Sequence, residues 1–308
     1  MDAGILLSVT GFRAKNFFDA GKTVSTIGYT HVELGACRAV RDSNLADLGP
    51  FSNFEAEEVV LAMRDLGLQL SAIECHVEYV AKATADIVTA ATHTMRVMDI
   101  AKHVDVAFVH TVSGRLPEGM SPDDGYRAIV AVYTDLLRYA EEVGVKLGIQ
   151  PVFIYLVGNI ASTQRLFDEL GRDDLLINFD PSAFPYHRES PIDFIKRFGD
   201  KIVHVLARDA VVGPLNQDEV ARVDAFDMGG GEQFKFALPG EGILEWPEII
   251  GALKDAGFDG VLSVGPPRGT SNLEAAAKAL RFLRQHLPDT DEAAPPEAPE
   301  TPLDLGPF

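Results

Sequence analysis

The sequence predicts a single (β/α)8 barrel, in the α/β class, followed by a short tail. Three observations carry this. Eight short apolar runs alternate with helix-like segments along the first 287 of 308 residues. Several of those runs close on a polar residue, at the end where such a barrel builds its chemistry. No Gly-rich phosphate loop follows the first run, as a doubly wound open sheet would require.

The elements follow in order. Ile5 to Thr10 is an apolar run ending at Gly11. Phe17 to Ile27 is helix-like but interrupted by Gly21. Gly28 to Gly35 (GYTHVELG) gives a turn and a second strand, whose alternation sets His31 and Glu33 on one face and Val32 and Leu34 on the other. Residues 36–53 are polar and irregular, and Asn53 is a candidate cap for a helix that stops at Gly67. Leu68 to His76 is the third strand, Ala83 to His103 a long helix, and Val104 to Gly114 the fourth strand. Ser121-Pro122-Asp123-Asp124 opens a helix that runs to Val143 and stops at Gly144. Val145 to Val152 is the fifth strand, and a helix closes over Ser162 to Gly171. LLINFD, ending at Asp180, is the sixth strand and IVHVLARD, ending at Asp209, the seventh. Residues 211–239 read as a long Gly-rich loop in which Gly229–Gly231 is a flexible lid segment. Trp246 to Gly257 is a helix, GVLSVGPP from Gly260 the eighth strand, and Asn272 to Leu287 the last helix.

From Pro288 the composition shifts to Pro and Glu with few aromatics, so residues 288–308 are expected to form a disordered acidic tail outside the 1–287 barrel domain. The 46% hydrophobic content supports a sizeable core, and the net charge of -19 argues against a nucleic-acid backbone or an anionic membrane as partner. Cys37 and Cys75 make neither a CxxC pair nor a disulfide framework. They read as reduced and partly buried, hence a cytoplasmic protein, and neither a signal peptide nor a membrane-spanning run is expected.

At the strand ends stand, in order, Glu33, His76, His110, Gln150, Asp180, Leu206 with Arg208, and Gly265. One lone imidazole there is more often a hydrogen-bonded wall residue than a ligand. Several converging polar groups make a pocket.

Six segments carry a resemblance: GYTHVELG, GVKLGIQPV, NFDPSAF, FGDKIVHVLARDA, LPGEGILEW and GFDGVLSVGPP. On these, from about Gly28 to Leu287, the chain resembles the sugar phosphate isomerase/epimerase family of xylose isomerase-like TIM barrels. The resemblance implies a sugar or polyol as ligand. It also implies a divalent metal (manganese, magnesium, cobalt or zinc) held by Glu, Asp, His and Glu from four strand ends, and acidic groups that move a proton beside a carbonyl. Family members often pair as homodimers.

The chain departs from that pattern at the ligand positions. Gln150 stands where a GIEP-like motif has Glu, and Ala183 where a DPSH-like motif has His. Leu206 replaces the second His of an HVHAKD-like motif, and Gly265 the Glu of an SIE-like motif. Asp180 is retained, and Arg208 keeps the positive charge of a Lys. A tight divalent site needs three or four good ligands, so no tightly bound cofactor is expected and metal-dependent isomerase activity should be lost or strongly impaired. Gln150, Asp180, Leu206 and Gly265 are thus the inherited catalytic positions. Glu33, His76, His110, Ala183 and Arg208 are the candidate substrate contacts.

Other residues have two readings each. His187 could rescue a metal site, but its offset suits a turn better. His204 shares the parity of Leu206 and Arg208 and, one layer deeper, reads as a satisfied core histidine. Arg208 and Asp209 either pair at the rim or bind an anionic group or sugar hydroxyls. Glu241, in the PGEG stretch, either caps its loop or meets substrate. Two function classes remain: a sugar or polyol enzyme, by a modified metal site or a metal-free route through Asp180, His76, His110 and Glu33, and a non-catalytic barrel that binds a carbohydrate-like ligand or another subunit.

Overall fold

The computed structural model describes residues 1–7, 17–36, 53–214, 225–266 and 273–287. Eight parallel strands close into a barrel: β1 (Asp2–Leu6), β2 (His31–Gly35), β3 (Gln69–Glu74), β4 (Phe108–Thr111), β5 (Lys146–Ile149), β6 (Leu176–Phe179), β7 (Ile202–Ala207) and, last in the chain, β11 (Val261–Val264). β11 pairs with both β7 and β1, which removes every free edge. Around them lie α1 (Phe17–Ile27), α2 (Asn53–Asp65), α3 (Thr84–His103), α4 (Pro122–Val143), α5 (Ile160–Leu170), α6 (Pro191–Phe198), α7 (Trp246–Asp255) and α8 (Leu273–His286).

Local chemistry sets the helix ends. Ser121 Oγ accepts the Asp124 N–H at 3.1 Å, Pro122 takes the first helical position, and Gly144 at φ 77° closes α4 in the left-handed region. The α4 face that meets the barrel carries Tyr126, Ile129, Tyr133, Leu136, Leu137 and Ala140, all buried at helical spacing. A fully buried aliphatic residue in such a row contributes roughly 1.5–3 kcal/mol. α5 starts two residues before Ser162, because Asn159 and Ser162 form a reciprocal capping box.

Three expectations need correction. The first strand begins at Asp2, and the part expected at residues 8–10 lies outside the described residues, as do the loop 37–52 with Cys37 and the tail 288–308. The third strand stops at Glu74, so His76 sits on the loop beyond it. The Gly-rich stretch after β7 is not a plain loop. β8 (Asp209–Gly213), β9 (Ala225–Gly229) and β10 (Glu232–Ala237) form a three-stranded antiparallel sheet in the order β8-β10-β9. Gly229–Gly231, expected to be a lid, turns the β9–β10 hairpin, with φ values of 79°, 65° and 85° that suit glycine. The alternation Phe234, Phe236 on β10 is period-2 chemistry, and it was masked by the surrounding glycines and acids.

This small sheet packs beside the barrel mouth. Phe226, Phe234 and Phe236 cluster with Phe153 from the loop after β5 and Tyr186 from the turn after β6, with ring centroids from 4.5 to 6.3 Å apart.

Candidate functional site

β6 delivers Asp180 to the mouth, and β7 delivers Arg208 beside it. Asp180 is almost wholly buried. Its Oδ2 accepts from both Nε, at 3.1 Å, and Nη2 of Arg208, and from Gln150 Nε2 at 3.4 Å. Its Oδ1 accepts the Ser182 N–H at 3.1 Å and the Ser182 hydroxyl at 2.5 Å. The Arg208 guanidinium carbon lies 4.1 Å from the centroid of the Phe236 ring, so the three-stranded sheet holds the cation from its other side. Around Asp180 the groups present are therefore a guanidinium, an amide and a hydroxyl.

The other positions that the resemblance singles out add no donor beside this pair. Leu206 is buried and pairs in register with Ser263 on β11. A side chain on Gly265 would begin 2.8 Å from Leu206 Cδ1 and 3.3 Å from Arg208 Cγ and Cδ. Ala183 is buried in the short 3-10 turn Pro181–Ala183. Among the described residues, no three His, Cys, Asp or Glu side chains are grouped as a metal would need.

Deeper in the barrel, Glu33 is fully buried and accepts from His110 Nε2 at 2.5 Å. His204 Nε2 lies 3.8 Å from the second Glu33 oxygen, and that Oε2 has no hydrogen-bond partner. His204 Nδ1 donates to Asn178 Oδ1 at 3.1 Å, and Asn178 Nδ2 donates to Gln150 Oε1 at 3.2 Å. One hydrogen-bonded chain thus runs from His204 through Asn178 and Gln150 to Asp180. Burial works against a charge on Glu33, but the imidazoles of His204 and His110 outweigh it and hold the carboxyl below the usual carboxylate range. Burial pushes the His204 pKa down to about 4, against the pull of Glu33.

At the mouth a second carboxylate–imidazole pair stands beside the first. His76 Nδ1 donates to Glu74 Oε1 at 2.7 Å. The rings of His76 and His110 meet edge to face at 5.6 Å. Burial opposes the charge on Glu74, but His76, with His110 and Arg208 adding to it, brings its pKa down to about 2. The structure therefore brings His76, Gln150, Asp180 and Arg208 together at the mouth, with Glu33 and His110 buried beneath them. Sequence reasoning missed Glu74 and Asn178. Glu74 had a signal, being an acid two residues before His76 in an apolar strand. Asn178 had one too, as the lone polar residue inside LLINF.

Three further candidates are engaged elsewhere, and a fourth, His204, belongs to the buried chain beneath the mouth. Asp209 is fully buried, and its carboxylate accepts from the N–H groups of Ala210, Gly240 and Leu244 at 2.8, 3.0 and 3.1 Å and from the Trp246 indole at 3.0 Å. Among the described residues these bonds go to the PGEG loop, its neighbour and α7, the first of the two readings of Asp209, pairing with neighbours. Glu241 pairs with Lys278 on α8. His187 lies in the turn Pro185–His187, its Nε2 2.9 Å from the Phe153 carbonyl. His204 sits two residues below Leu206 on β7, hydrogen-bonded as described.

These strand-end groups can be set against known proteins. A family model described as xylose isomerase-like TIM barrel matches residues 22–286. An inosose dehydratase of Erwinia tasmaniensis is 24% identical over 173 residues, which are 53% of this chain and 56% of that protein. The chain thus aligns with little more than half the length of that curated relative. The crystal structure of 3-keto-D-glucoside 4-epimerase, YcjR, from E. coli superposes with a TM-score of 0.71 at 14% identity, over 92% of this chain and 99% of that one. The IOLI protein with a bound zinc atom superposes with a TM-score of 0.70 at 17% identity, over 93% and 99%. At such identity the two structures speak for the fold alone. The family match spans the barrel from α1 to α8, every strand after β1 included, and this chain belongs to the xylose isomerase-like TIM barrel family.

Proposed function

We propose that this barrel binds a sugar or polyol at its mouth and has lost the divalent-metal chemistry of its family, the Asp180–Arg208 pair standing in its place. The observation that carries this is the Asp180 carboxylate, which already accepts two N–H groups of Arg208, two groups of Ser182 and the Gln150 amide. Divalent ions in such sites take several oxygen or nitrogen donors. Here Gln150 offers only a neutral amide, and Leu206, Ala183 and Gly265 offer none. The residues present do not fit the ion, and a cation entering would have to displace a guanidinium from a buried carboxylate. The ligand class rests on the carboxylates and imidazoles at the mouth, which suit hydroxyl groups, and on relatives named for an inosose and a 3-keto-D-glucoside.

Elemental analysis and calorimetric titration with manganese and zinc test this. Purified protein should carry no stoichiometric metal and give no saturable heat. Tight one-to-one binding would sink the proposal. A second reading, acid–base catalysis without a metal, is favoured by the two carboxylate–imidazole pairs, Glu33–His110 and Glu74–His76.

A further inference from the structure

We propose that Glu74 and His76 form a catalytic dyad that moves a proton at the carbon beside the carbonyl of a polyol, with Arg208 facing the oxygen that gains charge. This rests on the metal-free reading above. His76 gives its Nδ1 hydrogen to Glu74 at 2.7 Å, so its neutral form keeps a lone pair on Nε2. That Nε2 is shut off from solvent and has no hydrogen-bond partner among the described residues. An orphaned buried polar atom is costly, and a bound ligand removes that cost. The side chain as a whole is 24% exposed.

The neighbouring pair does not compete for this role. His110 is 1% exposed, its Nε2 is spent on Glu33, and the Asn178 amide lies 3.2 Å from its Nδ1. The Glu33–His110 pair therefore forms the floor on which His76 rests edge to face.

The step balances without an oxidant. His76 Nε2 takes the proton from carbon, the C–H electron pair becomes the carbon–carbon double bond, and the carbonyl pair moves onto oxygen as an enediolate. As the hydroxyl proton of the first carbon passes to the oxygen of the former carbonyl, His76 returns its proton on the same face to the neighbouring carbon, and the isomeric carbonyl results. Glu74 holds the imidazole in one tautomer and steadies the imidazolium. The enediolate requires a positive partner. Arg208 spends Nε and Nη2 on Asp180 but hydrogen-bonds no described residue through Nη1, and its charge is felt at Glu74.

The test is proton–deuterium exchange at the carbon beside the carbonyl, followed by NMR in heavy water with D-fructose, D-tagatose and an inosose as probes. Wild-type protein in excess chelator should wash deuterium into at least one probe. His76→Ala should slow this by about 100-fold or more, and added imidazole should restore part of the rate. Glu74→Gln should lower kcat with KM little changed. His76→Asn, closer in shape, repeats the loss if the alanine variant folds poorly. No exchange with any probe, or exchange that survives both His76 substitutions, would overturn the dyad. Exchange that appears only with added manganese would overturn the metal-free reading instead.

Discussion

A side chain at Gly265 meets Leu206 Cδ1 at 2.8 Å, so these two positions behave as one. The leucine occupies space beside the eighth-strand position, and the glycine leaves that space open to it. Gly265→Glu alone should cost about 1–3 kcal/mol by overpacking and by placing a carboxylate against leucine. In the double variant with Leu206→His the loss should shrink, with a favourable coupling of at least about 0.5 kcal/mol in a denaturant double-mutant cycle. Additive losses would show that the two sites are independent. Arg208 gives a second test at this scale. Removing a partner from a buried ion pair costs about 3–5 kcal/mol, and partial exposure of the Arg208 side chain, at 21%, lowers the expectation for Arg208→Ala to about 2–3 kcal/mol. Urea denaturation would measure it. A neutral outcome would mean that Asp180 is satisfied without the guanidinium.

The element that shapes the mouth is the three-stranded sheet after β7, and Asp209 is its anchor. Its carboxylate gathers the N–H groups of Ala210, Gly240 and Leu244 and the Trp246 indole, joining β8, the PGEG loop and α7. Gly242 of that loop packs directly against the Asp209 carboxylate and the Ala210 carbonyl, leaving no room for a Cβ. Asp209→Ala orphans buried donors worth about 1–3 kcal/mol each. We expect a total loss above about 3 kcal/mol and a clear fall in Tm by calorimetry, with Asp209→Asn nearly as harmful because one oxygen becomes a donor facing donors. An unchanged Tm would remove Asp209 from this role. The same sheet carries Phe236 against Arg208.

At the scale of the whole molecule, buried titratable groups make stability depend on pH. His204 has its pKa pushed down to about 4 from an ordinary 6.5, so between these values the unfolded chain takes up a proton that the folded chain refuses. Stability should be fully present above pH 6.5 and fall on acidification toward pH 4, by at most about 3–4 kcal/mol from this residue. His204→Asn should flatten the slope in that window when unfolding free energy is measured across it. An equal slope in the variant would assign the dependence to other groups. Glu74, held at about 2, acts lower down, its contribution lost as pH falls from 4.5 through 2.

Much of the barrel was legible because its signals are local. Ser121 with Pro122 starts α4 and Gly144 ends it, and the alternation in GYTHVELG places Glu33 on its face, by rules that act over a few residues. That Ala183, Leu206 and Gly265 carry no side-chain donor was also plain in the chain, since an alanine, leucine or glycine offers no lone pair wherever it sits. The tertiary structure decided which partners the polar groups around them take. Arg208 reaches a residue 28 positions away in Asp180, and His110 reaches across 77 positions to Glu33. The β8-β10-β9 sheet forms because Phe226, Phe234 and Phe236 find Phe153 and Tyr186, rings supplied by the loops after β5 and β6. Charge pairing and aromatic packing act through space, and periodicity along the chain carries no record of which partners barrel closure brings together.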